Sequence, residues 1–280
     1  MIEIKNLDFH YQRKHQVYTD LNLSIKEGAI YALLGLNGEG KTTLLNLIAG
    51  FLIPKGGSCK VFDYEASLRE PEMLQDIFVV SDLSEFTNIT VKQFRNLYAG
   101  FYPQFDYDFF DQCISEFGLT LDSSLKRLSF GDKRKVVLSF ALCTNCRLLL
   151  FDEPTNGLDI PSKAMFRKLV ASSFNENQTI IMATHQVRDL ANLIDRIIIE
   201  NHGKIIINES IERIAEKLAF GLTADQIAPN DLLFKADSFN QNETVSTNHT
   251  SQPGQLDIEL LFSASIAHSI EISRIFTSQN

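Results

Sequence analysis

Apolar residues follow two different periods along this chain, and the changes of period indicate where its strands and helices lie. Apolar and polar side chains alternate over residues 2–9 and 17–27, which predicts half-exposed antiparallel strands. The short run at 30–34 is apolar throughout, as expected of a buried parallel strand. Further strands are predicted at residues 58–62, 76–80, 147–152, 180–183, 196–200 and 204–208.

Helical periodicity dominates the rest of the pattern. Helices are predicted at residues 43–49 and 136–142. Residues 84–127 are helical and rich in aromatic side chains, which we expect to form a core rather than a binding surface. Residues 211–218 and 256–276 also have a helical period. Between them, residues 238–255 are rich in Asn, Gln, Ser and Thr and are predicted to be a loop or linker.

A glycine-rich segment joins the strand at 30–34 to the helix at 43–49. Residues 35–43, GLNGEGKTT, fit G-x-x-x-x-G-K-[ST], the phosphate-binding loop of nucleotide triphosphatases. Its glycines let backbone N–H groups wrap around phosphate oxygens, and the helix N-terminus adds partial positive charge. Lys41 is expected to hold the β- and γ-phosphates, and the Thr42 hydroxyl to bind Mg²⁺. Nucleotide contacts are predicted at Gly35, Asn37, Gly38, Gly40, Lys41, Thr42 and Thr43.

A second candidate site lies at the end of the strand predicted at 147–152. Asp152 and Glu153 directly follow an apolar run. In such a pair the first carboxylate can bind Mg²⁺ and the second can polarise a water molecule. A solvated turn would have the same composition, but open α/β sheets bind ligands at the carboxyl ends of their strands. The two motifs together therefore predict a nucleotide triphosphatase.

Composition and charge narrow the class of protein. The chain has 280 residues, 44% hydrophobic and 22% charged, enough for one large or two modest domains. The net charge of −9 gives no electrostatic footprint for nucleic acid. No apolar run approaches the roughly 18 residues that span a bilayer, and no signal-peptide pattern is present, so we expect a cytosolic protein.

Cys143 and Cys146 form a C-x-x-C, which we expect to be packed in the core rather than to bind zinc.

Further segments make the chain resemble the ATP-binding cassette (ABC) family. Residues 128–132, LSFGD, resemble the family's signature, whose usual form is LSGGQ. Residues 156–159, NGLD, resemble its D-loop, and Thr184-His185 resembles its switch histidine. Tyr11 matches the aromatic residue that stacks on adenine. The resemblance covers about residues 1–208.

The resemblance implies an α/β fold with a P-loop NTPase (RecA-like) core and a mainly parallel sheet. An N-terminal antiparallel β-subdomain and an inserted helical subdomain, at about residues 84–142, would complete an ATPase domain of residues 1–208. Residues 209–280 would form a small C-terminal extension of unknown role. The resemblance also implies a dimer of two cassettes around two ATP, either homodimer or heterodimer, and a separate transmembrane permease. That permease would hold the subunit at the cytoplasmic face of the cell membrane.

The same resemblance implies roles for individual residues. Glu153 is expected to be the catalytic base of an ATP hydrolase, and His185 its catalytic partner. Ser129 and Gly131 would face the ATP bound by the other subunit, at a helix N-terminus that Ser129 caps. Asp159 of the D-loop would also contribute to the nucleotide site.

Three residues depart from the family pattern. Phe130 replaces the first signature glycine and Asp132 replaces the glutamine. We expect Asp132 to point away from the nucleotide, with the basic residues 133–135 offsetting its charge. Asp82 stands where the family usually has the Q-loop glutamine, and we predict that it approaches Mg²⁺. The alternative is that Asp82 merely caps the following segment.

Three functions stay open at this point. The leading prediction is the ATPase subunit of a membrane transporter, and the loosened signature resembles those of bacterial exporters. A soluble cassette ATPase acting on ribosomes or DNA usually carries a second cassette or a long coiled coil. Only about 110 residues separate Lys41 from Asp152, and no nucleic-acid partner is expected. The third is a regulatory cassette that hydrolyses ATP slowly beside a more active partner.

Overall fold

The strands and helices follow the hydrophobic pattern along most of the chain. The computed structural model describes residues 1–12, 15–81, 88–221, 227–228, 231–236, 244–249 and 254–277. Its strands are β1 (Ile2–Gln12), β2 (His15–Ile25), β3 (Ile30–Leu34), β4 (Gly56–Val61), β5 (Tyr64–Glu65), β6 (Ile77–Val80), β7 (Leu148–Asp152), β8 (Thr179–Ala183), β9 (Arg196–Asn201), β10 (Lys204–Ser210), β11 (Leu218–Phe220), β12 (Leu232–Lys235) and β13 (Thr244–Thr247). Its helices are α1 (Lys41–Ile48), α2 (Pro71–Leu74), α3 (Val91–Tyr98), α4 (Tyr107–Glu116), α5 (Phe130–Cys143), α6 (Ile160–Ser173), α7 (Ile211–Lys217), α8 (Ile258–Ala267) and α9 (Ser269–Thr277).

A six-stranded sheet forms the centre of the fold, in the order β10-β9-β3-β8-β7-β6. All its neighbouring strands are parallel except β9 and β10. Tyr31 and Leu33 of β3 pack in one apolar cluster, with α1 and the N-terminal strands. Ile30, Ala32 and Leu34 pack in the other, with α5 and α6. Because both faces are covered, the central strands are apolar throughout, as the sequence predicts.

The N-terminal strands form a separate antiparallel sheet in the order β2-β1-β4-β5. In the first half of β1, Ile2 and Ile4 are buried whereas Glu3 and Lys5 are exposed. One face of this sheet therefore packs on the cluster around α1 and the other faces solvent, which confirms the predicted half-exposed strands.

Helices α3, α4 and α5 lie between β6 and β7 along the chain and enclose a core of aromatic rings. Phe140 of α5 lies at its centre, with five ring centroids 4.8–6.1 Å away. Offset and edge-to-face pairs at these distances are favourable. The rings around Phe140 belong to Phe78, Phe94, Tyr102, Phe105 and Phe110.

Three of the large side chains that were predicted to lie in this core are exposed instead. Leu97, Tyr98 and Phe101, at the end of α3 and in the turn after it, are exposed by 60%, 42% and 68% of their surface. Leu97 and Tyr98 follow the inward-facing Phe94 by three and four positions, on the same side of α3, and the Tyr98 ring centroid lies 4.9 Å from that of Phe94. This side of the helix therefore continues past the core into an exposed end.

The C-x-x-C pair is buried, as the sequence predicts. Cys143 and Cys146 are free thiols within the apolar cluster on the α5 side of the sheet. Burial raises the pKa of Cys146 to about 12, so the thiol stays neutral. Within the described parts of the chain, no group of His, Cys, Asp and Glu side chains is arranged to hold a metal ion by itself.

The C-terminal extension contains a small antiparallel sheet in the order β11-β13-β12. The loop predicted over residues 238–255 is therefore wrong at β13, where Thr244, Val245 and Ser246 are buried. Polar composition was misleading here because β13 is the central strand, so backbone pairing on both sides satisfies its N–H and C=O groups. No helix in the described ranges is both long and apolar enough to cross a bilayer.

The extension shares the apolar core of the ATPase region. Leu218, Val245 and Leu261 belong to the same cluster as Ile199 of β9 and Ile207 of β10. The division of the chain at residue 208 stays a prediction, but the apolar core continues across it.

We predict that Leu261→Ala lowers the free energy of unfolding of the whole chain. Leu261 is fully buried in α8, and removing its side chain should cost about 2–5 kcal/mol in urea denaturation. Ile270→Ala is the control, because Ile270 of α9 is 62% exposed and its loss should change the free energy by less than about 0.5 kcal/mol. A Leu261→Ala protein whose main unfolding transition is unchanged would show that the extension unfolds independently.

Candidate functional site

The predicted phosphate-binding loop joins β3 to α1. Lys41 is buried, and its Nζ donates hydrogen bonds to the carbonyl oxygens of Gly35, at 2.8 Å, and Leu36, at 3.0 Å. Gly38 has a φ of 82° and open space where a side chain would begin. Gly40 has a φ of 134°, which a residue with a side chain rarely adopts. The loop therefore encloses the Lys41 ammonium with carbonyl groups that phosphate oxygens could replace.

Thr42 and Asp152 meet at the mouth of this loop. The Thr42 Oγ1 donates a hydrogen bond to Asp152 Oδ2 at 2.6 Å, although the two residues come from α1 and the end of β7. They line a cavity of about 300 Å³ with Lys41, Glu153 and the loop. A hydroxyl and a carboxylate are oxygen ligands of the kind that Mg²⁺ prefers. The donor set present thus fits the predicted metal.

Glu153 follows Asp152 in a left-handed backbone conformation with a φ of 47°. This conformation is unfavourable for a residue with a side chain, and its backbone N–H is held by the Ala183 carbonyl at 2.8 Å. The carboxylate then reaches the end of β8. Its Oε2 accepts from Thr184 Oγ1 at 3.0 Å, and its Oε1 lies 2.7 Å from His185 Nδ1 and accepts from the His185 backbone N–H at 3.2 Å. The predicted base and the predicted switch histidine are therefore in direct contact.

Arg134 of α5 holds this same turn and was not singled out from the sequence. Its side chain is buried, and Nη2 donates to the carbonyl oxygens of Asp152, at 2.6 Å, and Glu153, at 2.7 Å. Nη1 donates to the Ser81 carbonyl at 2.9 Å. The prediction that Arg134 offsets the charge of Asp132 is thus wrong, because the guanidinium points to the catalytic turn. In the sequence Arg134 stands between Lys133 and Lys135 at the polar start of the helix, so nothing distinguished it from its neighbours.

The signature segment begins α5. Ser129 caps the helix, since its Oγ accepts from the Asp132 N–H at 3.1 Å. The Asp132 carboxylate bonds to Lys135 Nζ at 2.9 Å and to Ser129 Oγ at 2.8 Å. The ammonium of Lys135 lowers the pKa of Asp132, which keeps the carboxylate charged. As expected, Asp132 is turned back onto its own helix, and Lys135 offsets its charge.

The signature and the D-loop are in contact within one chain. A side chain at Gly131 would begin 2.8 Å from the Gly157 carbonyl oxygen, so only glycine allows this approach. The half-exposed Phe130 ring lies directly over Gly157. Asp159 caps α6 and accepts from the Ser162 N–H at 2.9 Å, a bond that lowers its pKa. Its predicted contribution to nucleotide binding stays a prediction.

The remaining predicted residues lie around the loop. Tyr11 is 59% exposed, and its hydroxyl lies 3.0 Å from Thr43 Oγ1, so its ring is beside the loop with a free surface. Stacking of adenine on this ring stays a prediction. Asp82, the predicted Q-loop counterpart, lies outside the described residues.

Comparisons with known proteins find relatives of this chain. A family model described as ABC transporter matches residues 18–156. An uncharacterised ABC transporter ATP-binding protein of Methanocaldococcus jannaschii is 30% identical over 219 residues, which cover 78% of this chain and 81% of that protein. The spermidine/putrescine import ATP-binding protein PotA of Spiroplasma citri is 35% identical over 214 residues, covering 73% of this chain and 60% of that protein. A solved ATP-binding subunit of an ABC transporter has a TM-score of 0.67 at 23% identity, covering 76% of this chain and 91% of that one, which confirms the fold.

We predict that Arg134 sets the position of Glu153. Arg134→Gln should lower kcat for ATP hydrolysis by about 10²-fold and leave KM for ATP within about twofold, because Lys41 and the phosphate-binding loop stay in place while the turn that carries the base is displaced. Arg134→Lys keeps the charge but reaches fewer carbonyl groups, so it should recover part of kcat. Arg127→Gln, on the exposed turn before α5, is the control. An unchanged kcat in Arg134→Gln would contradict the assignment.

Proposed function

This chain belongs to the ABC transporter family, whose ATP-binding subunits hydrolyse ATP to drive transport, and we propose that it pairs with a second cassette around two ATP and drives a separate transmembrane permease. The observation that carries the proposal is the continuous series of contacts from Thr42 through Asp152 and Glu153 to His185. It aligns a metal-binding pair with a carboxylate base at the rim of one cavity.

Each residue of the series has a distinct task in the proposed hydrolysis. Lys41 exchanges the carbonyl groups of Gly35 and Leu36 for the phosphates of ATP. Thr42 and Asp152 would hold Mg²⁺, which would neutralise phosphate charge. Glu153 accepts the proton of the attacking water through its carboxylate. Thr184 and His185 fix the direction of that carboxylate, because their donors converge on its two oxygens.

A second subunit is needed because one chain lacks half of the proposed site. The cavity is lined by the phosphate-binding loop, by Asp152 and Glu153, and by Asn156, but by no residue of the signature. Ser129 and Gly131 instead lie at the N-terminus of α5, whose first N–H groups suit an anion. We propose that this terminus binds the γ-phosphate of the ATP held by the other subunit. Either a second copy of this chain or a different cassette could supply it.

The proposed permease contact is the exposed apolar group of Leu97, Tyr98 and Phe101. These side chains stand close in sequence at the end of α3 and in the turn after it, in the helical region that faces the membrane partner in this family. Exposed apolar groups of this kind commonly mark protein interfaces. Through this contact the subunit would be held at the cytoplasmic face of the membrane.

The direction of transport is a further part of the proposal. Export is supported by the loosened signature LSFGD, which resembles those of bacterial exporters. The relative from Spiroplasma citri is named for import, so family membership alone does not decide direction. Substrate movement by the purified complex in inverted membrane vesicles would decide it. Uptake of the substrate into inverted vesicles upon ATP addition supports export, and its absence with uptake in right-side-out vesicles would contradict it.

One observation supports a second candidate, a slow cassette within a heterodimer. The half-exposed Phe130 ring stands where the signature would face the partner's nucleotide. A bulky ring there would keep the γ-phosphate from the helix N-terminus unless it moves. A Phe130→Gly protein that hydrolyses ATP much faster than the wild type would favour this candidate.

We predict that Glu153→Gln separates ATP binding from hydrolysis. Removing the base should lower the ATPase rate at least about 10²-fold, while the amide keeps the size of the side chain and the nucleotide contacts. The uncleaved ATP should hold the two subunits together, which light scattering would detect as an ATP-dependent dimer. Glu176→Gln, at an exposed position before β8, should match the wild type. A near-normal rate in Glu153→Gln would refute Glu153 as the base.

We predict that Leu97→Ala combined with Phe101→Ala weakens permease binding and leaves catalysis by the isolated subunit intact. The two changes remove exposed apolar surface and nothing from the core, so folding should be unaffected. Co-purification from membranes and stimulation of the ATPase by the permease should both fall. Ile270→Ala, equally exposed but in the extension, should retain both. Normal co-purification of the double variant would place the permease elsewhere.

A further inference from the structure

A carboxyl group lies buried directly behind the phosphate-binding loop. Glu200 is fully buried on β9, directly after three successive isoleucines at 197–199. A side chain at Gly40 would begin 2.8 Å from Glu200 Oε1 and 2.5 Å from the hydroxyl of Tyr18. The backbone of Glu200 also touches Gly35, since a side chain there would begin 3.1 Å from the Glu200 carbonyl oxygen. Glu200 and Tyr18 therefore fill the space behind both ends of the loop.

The polar atoms of this pair are not satisfied. Neither carboxylate oxygen of Glu200 makes a hydrogen bond of normal geometry within the described residues, and neither does the Tyr18 hydroxyl. A buried charge without partners is costly, so the neutral acid is favoured. Burial accordingly raises the pKa of Glu200 to about 7, against the opposing effects of the facing Tyr18 hydroxyl and of Lys41. Burial also raises the pKa of Tyr18, which keeps that hydroxyl neutral.

The proton on Glu200 changes the charge behind the loop that would hold the phosphates. Ionised Glu200 attracts the Lys41 ammonium from the rear and repels phosphate oxygens in front. Protonated Glu200 neither attracts Lys41 nor repels phosphate, and its O–H can donate a hydrogen bond to the buried Tyr18 hydroxyl oxygen. Nucleotide phosphates should in turn favour the protonated form, because they add negative charge on the other side of the loop.

We propose that Glu200, together with Tyr18, is a positioning residue behind the phosphate-binding loop, and that nucleotide binding is coupled to uptake of a proton by its carboxyl group. This inference rests on the proposed function, because it takes the loop to be the nucleotide site. The groups that face Glu200 are the Tyr18 hydroxyl from β2, Lys41 from α1 and Glu39 from the loop.

One neighbouring group could produce a pH dependence of its own. The His202 ring lies 3.3 Å from Glu39 Oε1, and its backbone N–H donates to Glu39 Oε2 at 2.9 Å. His202 is therefore a second ionisable side chain beside the loop. The His202→Gln variant separates the two sources, because it removes this ring and leaves Glu200 in place.

The first test measures ADP affinity between pH 6 and 8.5 for the wild type, Glu200→Gln and His202→Gln. ADP without metal is the probe, because it lacks the γ-phosphate near Glu153 and His185. The wild type and His202→Gln should bind ADP roughly three- to tenfold more weakly at pH 8.5 than at pH 6. Glu200→Gln, neutral at every pH, should lose this contribution and keep the higher affinity, whereas the pH dependence that the terminal phosphate of ADP adds is common to all three proteins. The same pH dependence in Glu200→Gln as in the wild type would overturn the proposal.

The second test measures proton uptake directly by titration calorimetry of ADP in buffers of different ionisation enthalpy. At pH 7 the wild type should take up a fraction of one proton per ADP, and Glu200→Gln should lose that uptake. No uptake by the wild type would overturn the proposal even if Glu200→Gln did not fold. Absence of ADP binding at every pH would instead overturn the proposed function, and the two failures are thus distinguishable.

The unliganded protein offers an independent check of the buried proton. Because the pKa of Glu200 is higher in the folded chain than in the unfolded chain, folded protein keeps the proton as pH rises from about 4.5 to about 7. The wild type should therefore lose stability across this range relative to Glu200→Gln, and the difference should be constant above it. A parallel pH dependence of the two thermal midpoints would contradict a buried carboxyl with a raised pKa.

Discussion

The parallel pairing of β3, β8 and β7 is the constraint on which the site depends. Ala183 of β8 pairs with Leu33 of β3 on one side and with Asp152 of β7 on the other. The three strands therefore end at the same level, and the residues that follow them must emerge together. The phosphate-binding loop, the Asp152-Glu153 turn and the Thr184-His185 pair are neighbours because of this register, although about 150 residues separate the first from the last.

A buried guanidinium joins that edge to the signature helix. Placing a charge in the interior is costly unless its donors are satisfied, and Arg134 satisfies them with carbonyl groups of Asp152, Glu153 and Ser81. The Glu153 carbonyl accepts in addition from the Asn156 N–H at 3.1 Å, so the arginine and the turn stabilise each other. The N-terminus of the same helix also grips the D-loop through Gly131 and Phe130. Helix α5, which would touch the partner's nucleotide, is thus connected through Arg134 to Glu153, the proposed base for the nucleotide of the same subunit.

Local motifs were enough to predict the part of the site whose geometry is set by neighbouring residues. Lys41 and Thr42 follow from the spacing of the loop, and Asp152 from its place at a strand end. Arg134, Glu200 and β13 were not predicted, because their roles arise from packing between segments far apart in sequence. From the sequence Glu200 is the polar end of an ordinary strand, and only the packing of β2 and the loop against it shows that it is buried. The polar composition of β13 hid a strand that is paired on both sides.

The segment after His185 extends the same argument to the C-terminal extension. Lys163 of α6 bonds to Asp189 at 2.6 Å, while on the other side Arg188 pairs with Glu259 of α8. Arg188 is largely exposed, so its ion pair contributes little. Val187 and Leu190, by contrast, are buried in one cluster with Leu260 and Leu261 of α8. Apolar packing therefore fixes the turn, so a backbone shift of His185 away from Glu153 would also displace the turn against α8.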